Sequence, residues 1–158
     1  MCIRDSLNTY PAVYRGILNF FGDIWTFIRD VVIINRNANY NSVYLLKKGV
    51  NYSDITIDNI QDKCYFIGDQ TNSNSFITEF DFRFGPYFIP NKVGTNKKAD
   101  YNWIRGSNGQ DTDKAVRVLL LGGNAANGSA AGSSDFNSSW VRPVSSANIG
   151  FFTTVKLD

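Results

Sequence analysis

Apolar residues recur along the chain in two rhythms. Between Tyr10 and Asp30 the sequence YPAVYRGILNFFGDIWTFIRD places Val13, Ile17, Phe20, Phe21 and Ile24 at the spacing of one helix face. The spacing predicts a short helix over about residues 12–21, stopped at Gly22, since a glycine just past the last periodic residue commonly ends a helix. From Asp23 to Ile34 the side chains are rich in Ile, Val, Trp and Phe, which favours extended chain. An Asn-rich turn over 35–41, a strand over Val43–Leu46 and a turn at Lys47-Lys48-Gly49 follow. A polar connection then covers 51–62, in which Ser53-Asp54 caps at most one helical turn. Lys63–Ile67 reads as a short strand and Asp69–Ser75 as a loop, because Asn, Asp and Ser side chains bond their own backbone. In Phe76–Phe84 the period falls to two: Phe80, Phe82 and Phe84 point one way, Glu79, Asp81 and Arg83 the other, as in a half-buried strand. Pro86 and Pro90 bracket Tyr87–Ile89 and limit it to an edge or irregular segment. Residues 91–114 are polar and turn-rich apart from Tyr101, Trp103 and Ile104, whose natural role is to tuck the loop onto the body.

The last forty residues organise the rest. Val116–Leu121 and Ile149–Val155 are apolar and read as buried strands. Between them Phe136, Trp140 and Val144 are among the few large apolar side chains in a stretch of Gly, Ser, Asn and Ala. Such a stretch builds no core of its own, and a long loop anchored at both ends of a compact domain is commonly functional. It is expected to be a displayed ligand-binding surface made of Asn124, Asn127, Ser129, Ser133, Asp135, Phe136, Asn137, Ser139, Trp140, Arg142, Val144 and Ser146. Rigid aromatics and Arg among small polar residues give contact area at little entropic cost, so Trp140 and Arg142 lead that set. The competing reading is that Trp140 plugs the loop onto the core. The whole pattern predicts an α+β domain of short helices, a mainly antiparallel sheet and long loops.

Composition adds exclusions. At 158 residues the chain fits one domain, and 43% hydrophobic residues with 12 Phe and 8 Tyr supply its core. The net charge of +2 is scattered, so no basic stripe tracks a nucleic acid. No apolar run is long enough for a membrane helix, so no membrane insertion is expected. There is no His, which removes the usual general base and the commonest metal ligand. The cysteines are Cys2 and Cys64, and Cys64 reads as a small buried hydrophobe.

Three constellations bear on chemistry. Gly122-Gly123 follows a strand but lacks any phosphate-loop pattern, so the pair serves a sharp exit from the strand. Asp100, Asn102, Asp111 and Asp113 supply oxygens of the kind Ca²⁺ takes, yet at the spacing of no defined calcium loop; Ca²⁺ is the one candidate cofactor, and none is otherwise expected. Glu79 and Asp81 share a strand face with Arg83 beside them, the ordinary state of a solvated face.

Three segments carry a resemblance. Gly22-Asp-Ile-Trp-Thr-Phe, Arg117-Val-Leu-Leu-Leu-Gly-Gly-Asn and Asn148-Ile-Gly-Phe-Phe resemble, in order, the Gly-Asn-Val-Trp-Glu-Trp, Arg-Val-x-Arg-Gly-Gly-Ser-Trp and terminal Ile-Gly-Phe-Arg signatures of the formylglycine-generating-enzyme (sulfatase-modifying factor) family. That family has a C-type-lectin-like fold. The Gly-Gly-Asn, Asn-Gly-Ser and Asn-Ile-Gly of the tail are most similar to the variable proteins of diversity-generating retroelements in phages of gut bacteria. The family's catalytic cysteines have no counterpart, Ala125 stands where its Trp follows Gly-Gly, and Phe152 replaces its terminal Arg. The resemblance therefore implies a non-enzymatic receptor-binding domain of a phage tail or host-interaction protein, in a virion or extracellular, able to join a larger oligomeric fibre. Its expected partner is a host cell-surface protein or glycan. The alternative is a structural tail or decoration subunit of the same fold. Met1–Ser6 reads like a translated sequencing adapter, which leaves residues 7–158 as the domain, the expected C-terminal part of a longer protein.

Overall fold

The computed structural model describes residues 13–14, 17–18, 25–35, 39–83, 88–96, 100–104, 115–124, 127, 132, 134–141 and 149–150. The described residues form a two-stranded sheet, β1 (Val13–Tyr14) with β2 (Ile17–Leu18), and a nine-stranded sheet. The larger sheet contains β3 (Trp25–Asn35), β4 (Tyr40–Leu46), β5 (Cys64–Thr71), β6 (Ser75–Asp81), β7 (Ile89–Gly94), β8 (Tyr101–Trp103), β9 (Val116–Leu121), β10 (Phe136–Asn137) and β11 (Ile149–Gly150). Its order is β5-β4-β3-β9-β10-β8-β6-β7, with β11 also paired to β3. Pairing is antiparallel except at β10–β8 and β11–β3. A 3-10 turn (Tyr52–Asp54) and one helix, α1 (Ile60–Lys63), lie between β4 and β5.

β9 and the Val31–Ile34 half of β3 are apolar at nearly every position because both of their faces are covered, the pattern of a strand inside a sheet with two packed faces, whereas Arg29 and Asp30 in the middle of β3 are exposed. On one face Val31, Ile33 and Leu119 pack with Val43, Ile67, Ile77, Ile89 and Phe136. On the other, Val32, Ile34 and Val116 pack with Tyr44, Ile55 and Ile60, so the connection after β4 roofs the sheet. Trp25 lies with Val118 and Leu120 on that covered side, flanked by Phe27, Tyr52, Trp103 and Ile149. Each of these fully buried aliphatic side chains is worth about 1.5–3 kcal/mol. Together they outweigh the two ion pairs among the described residues, Arg83–Asp81 and Lys92–Glu79, as the source of stability.

The sheet curls into a half-barrel. Its two end strands approach so closely that a Cβ on Gly68 of β5 would sit 2.8 Å from Ile89 Cδ1 of β7. Gly68 also has φ +153° and follows the extra residue of a bulge, since Val43 pairs with Gly68 but Tyr44 with Phe66. Beyond the apolar cluster the chain buries amides: Gln70 Nε2 donates to Asn102 Oδ1 (2.7 Å), Ser138 Oγ to Gln70 Oε1 (2.9 Å) and Asn41 Nδ2 to Asn72 Oδ1 (3.3 Å).

Several expectations hold. The extended segment is present at its described positions 25–34, and so are the 43–46 strand, the Lys47–Gly49 turn, the 76–81 part of the expected 76–84 strand and the edge position of Ile89. Gly122 and Gly123 turn the chain out of β9 at φ +95° and +72°. Others are corrected. The helix expected over 12–21 is replaced at its described positions by β1 and β2, whose registers are Val13↔Leu18 and Tyr14↔Ile17; β-branched and aromatic residues took extended chain despite the helical spacing. Most of the expected 69–75 loop is strand, because Gln70 finds partners across the sheet that outcompete local turns. Residues 91–94, expected in a loop, extend the edge strand β7. Phe82 does not join the core: register shifts on either side of Glu79 end the alternation, and Phe82 is 63% exposed against Phe80. Val116–Leu121 and the strand from Ile149 share a sheet but flank β3 on opposite sides; residues 151–155 lie outside the described ones.

Gly68→Ala should therefore lower stability by about 2 kcal/mol, through backbone strain and the Ile89 contact. Gly49→Ala, at φ +82° with open space around it, should lower it by less. Urea unfolding of both variants checks this ranking, and an equal or reversed order would contradict the described closure of the half-barrel.

Candidate ligand-binding surface

The C-terminal polar stretch is held by the sheet more tightly than its composition predicts. β10 lies between β9 and β8, with Phe136 opposite Leu121 and Asn102. Backbone bonds stitch the neighbouring residues down: Gly122 N donates to Asp135 O (3.2 Å), Ser138 N to Trp103 O (2.9 Å) and Val118 N to Trp140 O (3.1 Å). Val141 closes the run by a bridge to Arg117.

Of the residues expected on a displayed surface, Asp135 and Phe136 are 0% and 1% exposed, and Asn124 and Asn137 are also buried. These four are corrected from displayed to structural. The Phe136 ring completes the apolar cluster of the half-barrel, and Asn137 Oδ1 accepts from both Ser139 N (2.9 Å) and Ser139 Oγ (2.6 Å), fixing the turn before Trp140. Asn124 and half-buried Asn127 close on each other, Asn124 N donating to Asn127 Oδ1 (2.7 Å) and Asn127 N to Asn124 O (3.0 Å). Trp140 is different. Its backbone is bonded to β9 while the residue is 43% exposed. Ser129, Ser133, Arg142, Val144 and Ser146 lie outside the described residues.

Two supports were not read from the sequence. Arg117 is 2% exposed, with Nη1 donating to Ser139 O (3.1 Å), while its own carbonyl accepts from Tyr52 Oη (3.1 Å). One residue thus ties the roof of the sheet to the turn beneath Trp140. The second support is Asp135, whose Oδ1 accepts from Tyr101 N (2.6 Å). A Cβ on Gly132 would overlap the Asp100 carboxylate, which brings Asp100 to the same corner. Neither Asp135 Oδ2 nor the nearby Trp103 Nε1 has a hydrogen-bond partner of good geometry. Burial pushes the Asp135 carboxyl up to about 7, and Asp100 adds to the rise, while the bond from Tyr101 works against it.

Of the four oxygen donors named for Ca²⁺, Asp100 and Asn102 are among the described residues. Asn102 is committed: Oδ1 accepts from Gln70 and Nδ2 donates to Thr71 O (3.1 Å) and Ser73 O (2.9 Å). Asp111 and Asp113 lie outside the described residues. Glu79 and Asp81 are each held below the usual carboxylate range, Glu79 by bonds from Lys92 and Asn91 and Asp81 by bonds from Arg83, as expected of surface charges. Burial raises the Cys64 thiol, which agrees with its reading as a small hydrophobe. Tyr101 and Trp103 pack at a tilt with ring centroids 4.4 Å apart, and Tyr101 meets Phe76 edge-on at 5.0 Å, anchoring their segment as expected.

No protein-family model, curated protein or solved structure matches the chain.

Asp135 yields a pH prediction. A carboxyl whose folded value is raised favours its protonated form in the folded state, so its stabilising contribution is complete below about pH 4 and is lost as pH rises through about 7. Asp135→Asn keeps an acceptor for Tyr101 N and has no charge to bury. The stability difference between variant and wild type should therefore grow in the variant's favour between pH 4 and 8, as measured by urea midpoints. A difference that stays constant over this range would contradict the burial of a titrating Asp135.

Proposed function

We propose that the chain is a non-enzymatic binding module, a C-type-lectin-like receptor-binding domain of a phage tail or host-interaction protein, whose partner is a host cell-surface protein or glycan. The observation that carries this reading is Trp140: a half-exposed indole on a backbone bonded to a central strand. An aromatic presented on a rigid support loses little entropy on contact and is the residue type that dominates binding energy at interfaces. The lectin-like part of the proposal is supported by the three signature segments, which reach adjacent strands: Trp25 opens β3, Arg117–Leu121 lie in β9 on one side of it, and Ile149–Gly150 form β11 on the other. The variable-protein likeness adds that side chains rather than backbone differ between copies, which suits a surface whose backbone is stitched to a sheet.

Trp140→Ala should cost about 1 kcal/mol of stability or less, against roughly 3–5 kcal/mol for a buried aromatic. Retention of the labelled domain on a panel of gut bacterial cells should fall about tenfold or more on every strain it marks. If the variant keeps both its fold and its retention, the structural-subunit reading replaces this one.

A further inference from the structure

A second concave site lies on the outer face of β4 and β5, a cleft of about 470 Å³, within the size range of small-ligand pockets. It is built by register. Tyr40, Ser42 and Tyr44 alternate along β4, and Ser42 and Tyr44 stand opposite Asp69 and Phe66 of β5. Phe66 and Asp69 are three apart, which in a regular strand would put them on opposite faces. The bulge at Ile67–Gly68 absorbs one residue and turns both toward the cleft, so the glycine that closes the half-barrel also assembles this site.

The lining has the chemistry of a flat, uncharged, hydroxyl-rimmed ring. Tyr40 and Phe66 expose 47% and 49% of their surface, and Tyr44 props Phe66 edge-on at 5.6 Å. Ser42 Oγ donates to Asp69 Oδ1 (2.8 Å), which orients a carboxylate that still has acceptor capacity for hydroxyl donors. Gln61 of α1 adds an amide that both donates and accepts. Asp69 is the only charged side chain among the described lining residues. An anionic guest would meet that carboxylate, and the lining residues supply no cation to hold one. Hydroxyl donors suit the lone pairs that Ser42 leaves open on Asp69. A ring with one C–H face for the aromatics and equatorial hydroxyls for Asp69, Ser42 and Gln61 satisfies every group.

We propose that the β4–β5 cleft binds an uncharged pyranose ring through stacking on Phe66 and Tyr40 and hydroxyl bonds to Asp69. The site is separate from the Trp140 surface and does not depend on it. The test is a ¹H–¹⁵N titration of the full chain with the methyl pyranosides of glucose, galactose, mannose and N-acetylglucosamine, with choline and benzoate as charged comparators. At least one pyranoside should give saturable shifts of the Ser42, Phe66 and Asp69 amides. Phe66→Ala and Asp69→Asn should each weaken it about tenfold with the remaining spectrum preserved, and Trp140→Ala should leave it unchanged. The proposal is overturned if no pyranoside moves these amides, if choline or benzoate moves them at least as strongly, if the two cleft variants bind like wild type, or if Trp140→Ala abolishes the shifts.

Discussion

Everything in this molecule hangs from the ladder between β3 and β9, whose two faces are both buried. A strand covered on one side tolerates polar alternation; a pair covered on both must be apolar throughout, and each aliphatic residue then contributes burial on the order of 1.5–3 kcal/mol. The ladder fixes where the other parts can go. Its inner face becomes the floor of the half-barrel, its outer face is roofed by the connection through Tyr52 and α1, and β11 and β9 dock on opposite sides of Thr26. Arg117 is the exception inside it. A buried guanidinium is tolerable only when bonded, and its bond to Ser139 O carries the ladder's rigidity outward to the turn before Trp140.

How much of this was legible in the sequence follows from the range of the interactions involved. β3 and β9 were readable because their signal is local and redundant, the dense apolar runs Val31–Ile34 and Val118–Leu121. Turns at Gly49 and Gly122–Gly123 were readable because a backbone requirement sits in the residue itself. The misreadings share one cause, a partner far away in the chain. Gln70 looks like loop until Asn102 and Ser138 are placed against it, and Asp135, Phe136 and Asn137 look displayed until β8 and β9 close over them. The bulge that joins Phe66 to Asp69 was equally hidden, although the Tyr40-Ser42-Tyr44 alternation beside it is plain period two. At the candidate surface, Trp140 was identified and its support was not: nothing in the local sequence says that Arg117 reaches Ser139.

The functional consequence is a division of labour within the C-terminal stretch. Its consecutive residues Asp135 to Ser138 are all buried and act as mortar, Phe136 in the apolar cluster and Ser138 in the amide network, while Trp140 emerges where the stitching meets the end of β9. Small polar residues suit such a segment, since they fit close to the sheet and leave the aromatic as the main apolar contact.

The central claim is that the stretch around Trp140 is part of the sheet rather than a loop laid over it. Native-state amide hydrogen exchange tests this directly, because protection reports the free energy of opening each bond. The amides of Ser138, Val118 and Gly122, which donate to Trp103, Trp140 and Asp135, should exchange only at the rate set by opening of the β3–β9 ladder, in step with Ile33 and Val32. Exchange of Ser138 and Gly122 orders of magnitude faster than that ladder would mean that the segment opens on its own, and the rigid presentation of Trp140 would be contradicted.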